Sequence, residues 1–89
     1  MIRISRTRET THVVTLKVEG ALVADWVPVL EAACASPLAE RKGVELDFED
    51  VSFLDREAVP TVRELIAKGV TILRPTPLVR HLLRREDSR

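Results

Sequence analysis

The stretch VELDFEDVSFLDREA, Val44 to Ala58, decides the fold. Its first half alternates. Val44, Leu46 and Phe48 point one way and Glu45, Asp47 and Glu49 the other, as in a strand with one face on a core. A second apolar run, Val51 to Leu54, is expected beyond a turn and leads to Asp55. Aspartate is a good helix N-cap, because its carboxylate accepts hydrogen bonds from backbone N–H groups that a helix leaves free. Ala58, Val59, Val62, Leu65 and Ile66 then follow at helical spacing. A buried strand therefore delivers an acidic tip to the surface at a helix start. Phe53 and Leu65 are assigned to the apolar faces that make the core.

On the N-terminal side, Ile2 to Thr7 reads as a short strand and Val13 to Val18 as a second, ended by Gly20. The polar segment Glu9 to His12 between them predicts a hairpin. A helix is expected from near Asp25, with Pro28 tolerated in a first turn whose N–H groups lack partners. Trp26, Val27, Leu30, Ala33 and Cys34 form its apolar stripe, and Pro37 is expected beyond its end.

On the C-terminal side, Pro60 conflicts with a regular helix beginning at Asp55. The segment Arg56 to Val59 is therefore expected to be irregular. Gly69 suits a C-terminal cap. Val70 to Leu73 reads as a strand. Thr76 and Pro77 open a last helix, with Leu78, Val79, Leu82 and Leu83 as its apolar face and Arg80, Arg84 and Arg85 as its basic one. A frayed tail is expected from Arg84 to Arg89. Strands separated by helical segments imply an α/β fold, a sheet with helices packed on one face.

Composition narrows the function classes. Eighty-nine residues with a 45% hydrophobic share suit one folded domain over 1–89, burying roughly 60% of its unfolded surface. Fourteen basic residues balance fourteen acidic ones, which argues against a dedicated nucleic-acid binder. Trp26, Phe48 and Phe53 are the only aromatics, too few for a base-stacking surface. One cysteine, Cys34, allows no intrachain disulfide. No apolar run approaches the ~20 residues that span a bilayer, and no signal-peptide core is visible, so no membrane insertion and a cytoplasmic location are expected.

Candidate chemistry is sparse. Asp47, Glu49, Asp50, Asp55 and Glu57 are the residue types a hard cation prefers. Asp55 lies beyond the expected turn, however, and the accessory acidic pair and lysine of a phosphoacceptor site are missing, so no metal site is assigned. His12 and His81 are far apart and Cys34 lies on a helix face meant for the core, so no catalytic residue is assigned either. The three glycines are isolated and build no phosphate loop. No cofactor is expected. Trp26 fits the core, but a part-exposed tryptophan is also a strong binding anchor.

Asp47, Val51, Phe53, Leu54 and Asp55 together resemble the central motif of the STAS domain, the module of bacterial anti-sigma factor antagonists and sulfate-transporter tails. The family pattern runs as an apolar strand, Asp, a short turn, Val-x-Phe-Ile-Asp, then Ser-Ser/Thr-Gly. The resemblance extends from Val13 to Leu83. It implies a mixed four-stranded sheet with helices on one face. It also implies a non-enzymatic protein-interaction module in signalling and transcription regulation, whose partner is an anti-sigma factor or switch kinase. Asp55 then fixes the helix start, and Arg56, Glu57 and Ala58 make the contact patch, with Asp25 and Trp26 beside it.

Three departures matter. Glu57 stands where the antagonists carry their phosphorylated Ser or Thr, and Arg56 precedes it. Ala58 replaces the family glycine. The Asp that follows the glycine of the second strand is replaced by Val23, with Asp25 two residues later. Phosphorylation at the usual position is therefore not expected. Two alternatives share the chain's features: an adaptor subunit of a bacterial lipid-transport complex, and a small-molecule-binding module with a pocket between sheet and helices. Neighbouring genes for a kinase or sigma factor favour signalling, and those for a transporter ATPase and permease favour the adaptor. The sequence leaves partner identity and oligomeric state open.

Overall fold

A computed structural model describes residues 2–85, with side chains through Leu83; of the expected frayed tail, Arg84 and Arg85 continue the last helix instead, while residues 86–89 and the side chains of Arg84 and Arg85 lie outside the described residues. The chain runs β1 (Ile2–Glu9), β2 (Val13–Leu22), α1 (Val27–Ala39), β3 (Gly43–Leu54), α2 (Val59–Ala67), β4 (Thr71–Leu73) and α3 (Pro77–Arg85). Single 3-10 turns, Ala24–Trp26 and Arg56–Ala58, join β2 to α1 and β3 to α2.

The sheet order is β1-β2-β3-β4. β1 and β2 pair antiparallel, while β3 pairs parallel with both β2 and β4. It is the expected mixed four-stranded sheet. Val14, Leu16 and Val18 of β2 and Val44, Leu46 and Phe48 of β3 are buried in one cluster with Leu30 and Cys34 of α1, Val59, Val62 and Leu65 of α2, and Val79 of α3. All helices therefore cover the same face. The opposite face is polar: Thr15 donates to Glu45 at 2.9 Å, and Lys17 pairs with Asp50 at 2.9 Å.

The expected turn inside the central motif does not exist. β3 continues through it, and two register shifts against β2 take up the extra length. Lys17 pairs with Asp47 but Glu19 with Asp50, and Gly20 pairs with Val51 but Ala21 with Phe53. Each shift is a β-bulge that inserts one residue into β3 and reverses its alternation. The core-facing series becomes Val44, Leu46, Phe48, Val51, Leu54. The second shift puts Phe53 on the side opposite Val51, where it is 48% exposed, which corrects its assignment to the core. Leu65, 4% exposed, is core as expected.

Other boundaries shift for local reasons. Gly20 does not end β2: its φ of 104° is accommodated inside the strand, which runs on to Leu22. Pro37 lies within the last turn of α1 with its ring buried, not beyond the helix. α2 becomes regular only after the 3-10 turn, which leaves Pro60 in its first turn, where a missing N–H costs nothing. Gly69 caps α2 with φ 104°. The Thr76 hydroxyl accepts from the Val79 amide at 3.3 Å and starts α3 as expected.

Candidate interaction tip

The C-terminal ends of the parallel strands β2 and β3 lie side by side, and each turns into a helix in the same way. The Asp55 amide donates to the Leu22 carbonyl at 2.9 Å and ties the two exits together. One exit reads Asp25-Trp26-Val27-Pro28 and the other Glu57-Ala58-Val59-Pro60. In both, an acidic residue in a 3-10 turn precedes Val-Pro at a helix start. Proline ends the need for an N–H donor there, and the acid suits the positive end of the helix dipole.

Asp55 fills its expected role. Its side chain accepts from the Glu57 amide at 3.1 Å, and its carbonyl accepts from the Ala58 amide at 2.9 Å. This fixes the turn and leaves Arg56 and Glu57 exposed. Ala58 is fully buried, so its methyl belongs to the core and not to the contact patch. Trp26 is half-buried and packs on the core, while Asp25 is exposed. Phe53 joins this end of the sheet as an exposed aromatic, two residues before Asp55. Sequence reading missed it, because Val51 and Phe53 look like one face unless the bulge at Ser52 is known.

Asp47 makes a second cluster, on the polar face of the sheet. It is only 4% exposed although it faces away from the helices. Arg74, in a left-handed backbone conformation with φ 51°, pairs with it and also reaches Glu49 at 3.3 Å. The Glu49 amide donates to Asp47 at 3.0 Å. Burial raises the Asp47 pKa, but these hydrogen bonds and the nearby charges of Arg74 and Lys17 outweigh it and hold the carboxyl below its ordinary range. No local motif could have announced Arg74, which joins Asp47 from 27 residues away. Cys34 is buried, and burial pushes its thiol up to about 11, the setting of an inert core thiol. Among the described residues, no three His, Cys, Asp or Glu side chains converge as metal ligands, and no helix is long and apolar enough to cross a membrane.

No protein-family model matches the chain, and no curated protein sequence matches it. Solved structures do. The anti-sigma factor antagonist SpoIIAA in its unphosphorylated form superposes with a TM-score of 0.77 at 22% identity, covering 96% of this chain and 81% of that one. The chain has a STAS-type fold. SpoIIAA from Bacillus in its phosphorylated form gives a TM-score of 0.73 at 22% identity, over 94% of this chain and 83% of that one. The STAS domain of an anti-sigma factor antagonist from Rhodobacter sphaeroides gives 0.65 at 18% identity, over 82% and 86%.

Proposed function

We propose that this STAS-type domain is a non-enzymatic protein-interaction module of the anti-sigma factor antagonist kind. It engages a protein partner through the tip formed by Asp25, Trp26, Phe53, Asp55, Arg56 and Glu57. The observation that carries the reading is Phe53. A large aromatic left 48% exposed beside exposed charges suits an anchor seated in a partner's pocket better than a soluble surface position. Asp55 serves the patch indirectly by holding the turn that presents Arg56 and Glu57.

Glu57 sets the character of the contact. A phosphoserine carries a charge of about −1.5 to −2 near neutral pH, and a glutamate about −1 with fewer acceptor oxygens and no switching. The tip therefore keeps a constant negative charge where the antagonists alternate between two states. A partner that seats Phe53 and meets Glu57 with a cation fits this surface.

The test begins with photo-crosslinkers at Arg56 and, as a control, at Lys68 on the far end of α2, in the source cells. One protein captured from Arg56 alone is the expected result; equal capture from both positions overturns the tip. Calorimetry then compares wild type with Glu57→Gln and Glu57→Ser. The carboxylate contact predicts about two- to five-fold weaker binding in both variants. Tighter binding of the serine form marks a locked-off antagonist instead. Unchanged affinity in both removes Glu57 from the interface.

A further inference from the structure

The opposite edge of the sheet carries an unused surface. β1 is the outermost strand, so among the described residues one full edge of its eight-residue backbone has no strand partner. Beside it, on the helix side, runs an open groove of about 430 Å³ lined by Ile4, Arg6, Leu16, Val29, Ala32 and Ala33. Val29 is 46% exposed at its wall. α1 itself has a single charged residue, Glu31, in thirteen. A surface helix normally turns a charged face to water, and an apolar outer face signals something to be covered.

The side chains of β1 say what could cover it. Ile2, Ile4 and Arg6 pair with Gly20, Val18 and Leu16, on the helix side. Arg3 pairs with Glu19 and, past an irregularity at Thr7, Arg8 pairs with Thr15, on the polar side. Arg6 is neutralised by Glu9 at 2.7 Å. Arg3 and Arg8 form no ion pair with any described residue. The edge therefore carries Ile2 and Ile4 on one side and, on the other, two exposed arginines outside any ion pair among the described residues, Arg3 opposite Glu19 and Arg8 opposite Thr15.

We propose that β1 accepts an extended segment of a partner protein, about eight residues long, in which apolar residues alternate with acidic ones. Strand addition would satisfy the free backbone edge. Because side chains alternate between faces, the apolar residues would fall over Ile4, Val29 and Ala32, and the acidic ones beside Arg3 and Arg8. A second copy of this chain is a poor occupant: pairing β1 with itself brings three arginines from each copy along one short strand pair. Arginines on an edge also discourage unwanted pairing. That role alone leaves the apolar groove and the uncharged flank of α1 without a purpose.

The probe is a labelled eight-residue peptide of alternating Val and Glu, titrated against the whole chain by anisotropy and by amide NMR. Three comparison peptides replace Glu with Lys, scramble the order, or carry N-methyl groups along one edge. Saturable binding of the Val/Glu peptide alone is expected, with slowed hydrogen exchange at the β1 amides that point away from β2. Arg3→Ser with Arg8→Ser should weaken it roughly five-fold, two exposed charge contacts' worth. Both positions are exposed, and unchanged melting of the double variant confirms that the fold is kept. Absence of saturable binding, binding that survives N-methylation, or β1 protection that grows with protein concentration without peptide would each overturn the proposal. The last would give the edge to a second copy.

Discussion

Phe48→Ala and Phe53→Ala delete the same side chain from the same strand, five positions apart, yet should differ severalfold in cost. Phe48 is fully buried between the sheet and the helices, and no solvent can fill the space it leaves. Removing it costs about 3–5 kcal/mol, the transfer term plus a cavity. Stability of about 0.05–0.15 kcal/mol per residue puts an 89-residue chain near 4–13 kcal/mol, so that variant is on the margin of folding. Phe53 is 48% exposed, so only about half of the ~1.5–3 kcal/mol of a fully buried large side chain is at stake, and water occupies the vacated space. About 1 kcal/mol follows, with a few tenths more from lost strand propensity. Urea melts with a common slope m give both numbers directly. Equal losses would mean that Phe53 faces the core and that the bulge at Ser52 is wrong. A loss near zero for Phe48 would remove the central strand from the core altogether.

Asp47 predicts a definite acid response. Its folded-state pKa lies below the unfolded value, so its contribution is complete above the ordinary aspartate range near 4 and disappears as pH falls through the folded pKa. The urea midpoint should decline below about pH 4, and Asp47→Asn should flatten that decline while lowering stability at pH 7; an unchanged acid limb in the variant would assign the response to other carboxylates. Cys34 should resist a disulfide reagent at pH 8 under native conditions and react at once in denaturant, because its thiol is buried and held at about 11. Rapid native labelling would place Cys34 on an exposed face of α1.

Much of this fold was legible because each element declares a period. Val44, Leu46 and Phe48 alternate, and Val59, Val62 and Leu65 recur at helical spacing, and all six are buried in one cluster. Pro60 was legible as a conflict, and the conflict has a physical resolution in the 3-10 turn that precedes α2. The bulges were not legible. An inserted residue leaves composition and local propensity untouched and changes only the register with β2, a neighbour far away in sequence. Phe53 was misplaced for that reason, and Ala58 because a family motif names positions without stating which way each side chain points. The Asp47–Arg74 pair was hidden by the same distance in sequence, and Pro37 by a helix that continues past it because the ring packs on the core.

The second bulge also explains why Phe53 does not follow Val51 into the core. β3 must remain buried on one side until Leu54, or the strand end would lose its hold on α2. Strict alternation from Phe48 would have sent Asp50 and Ser52 into the core. The first inserted residue instead brings Val51 inward, and the second restores the original phase, which leaves Phe53 outward and Leu54 inward. The exposure of Phe53 follows from the second bulge, which returns the strand to the phase set by Phe48, and Asp55 then caps the turn that holds Glu57 beside it. The same stretch of chain thus answers to two demands, and they separate by experiment: substitutions at Val51 and Leu54 act on stability, while those at Phe53 and Glu57 act on binding to the partner proposed for the tip.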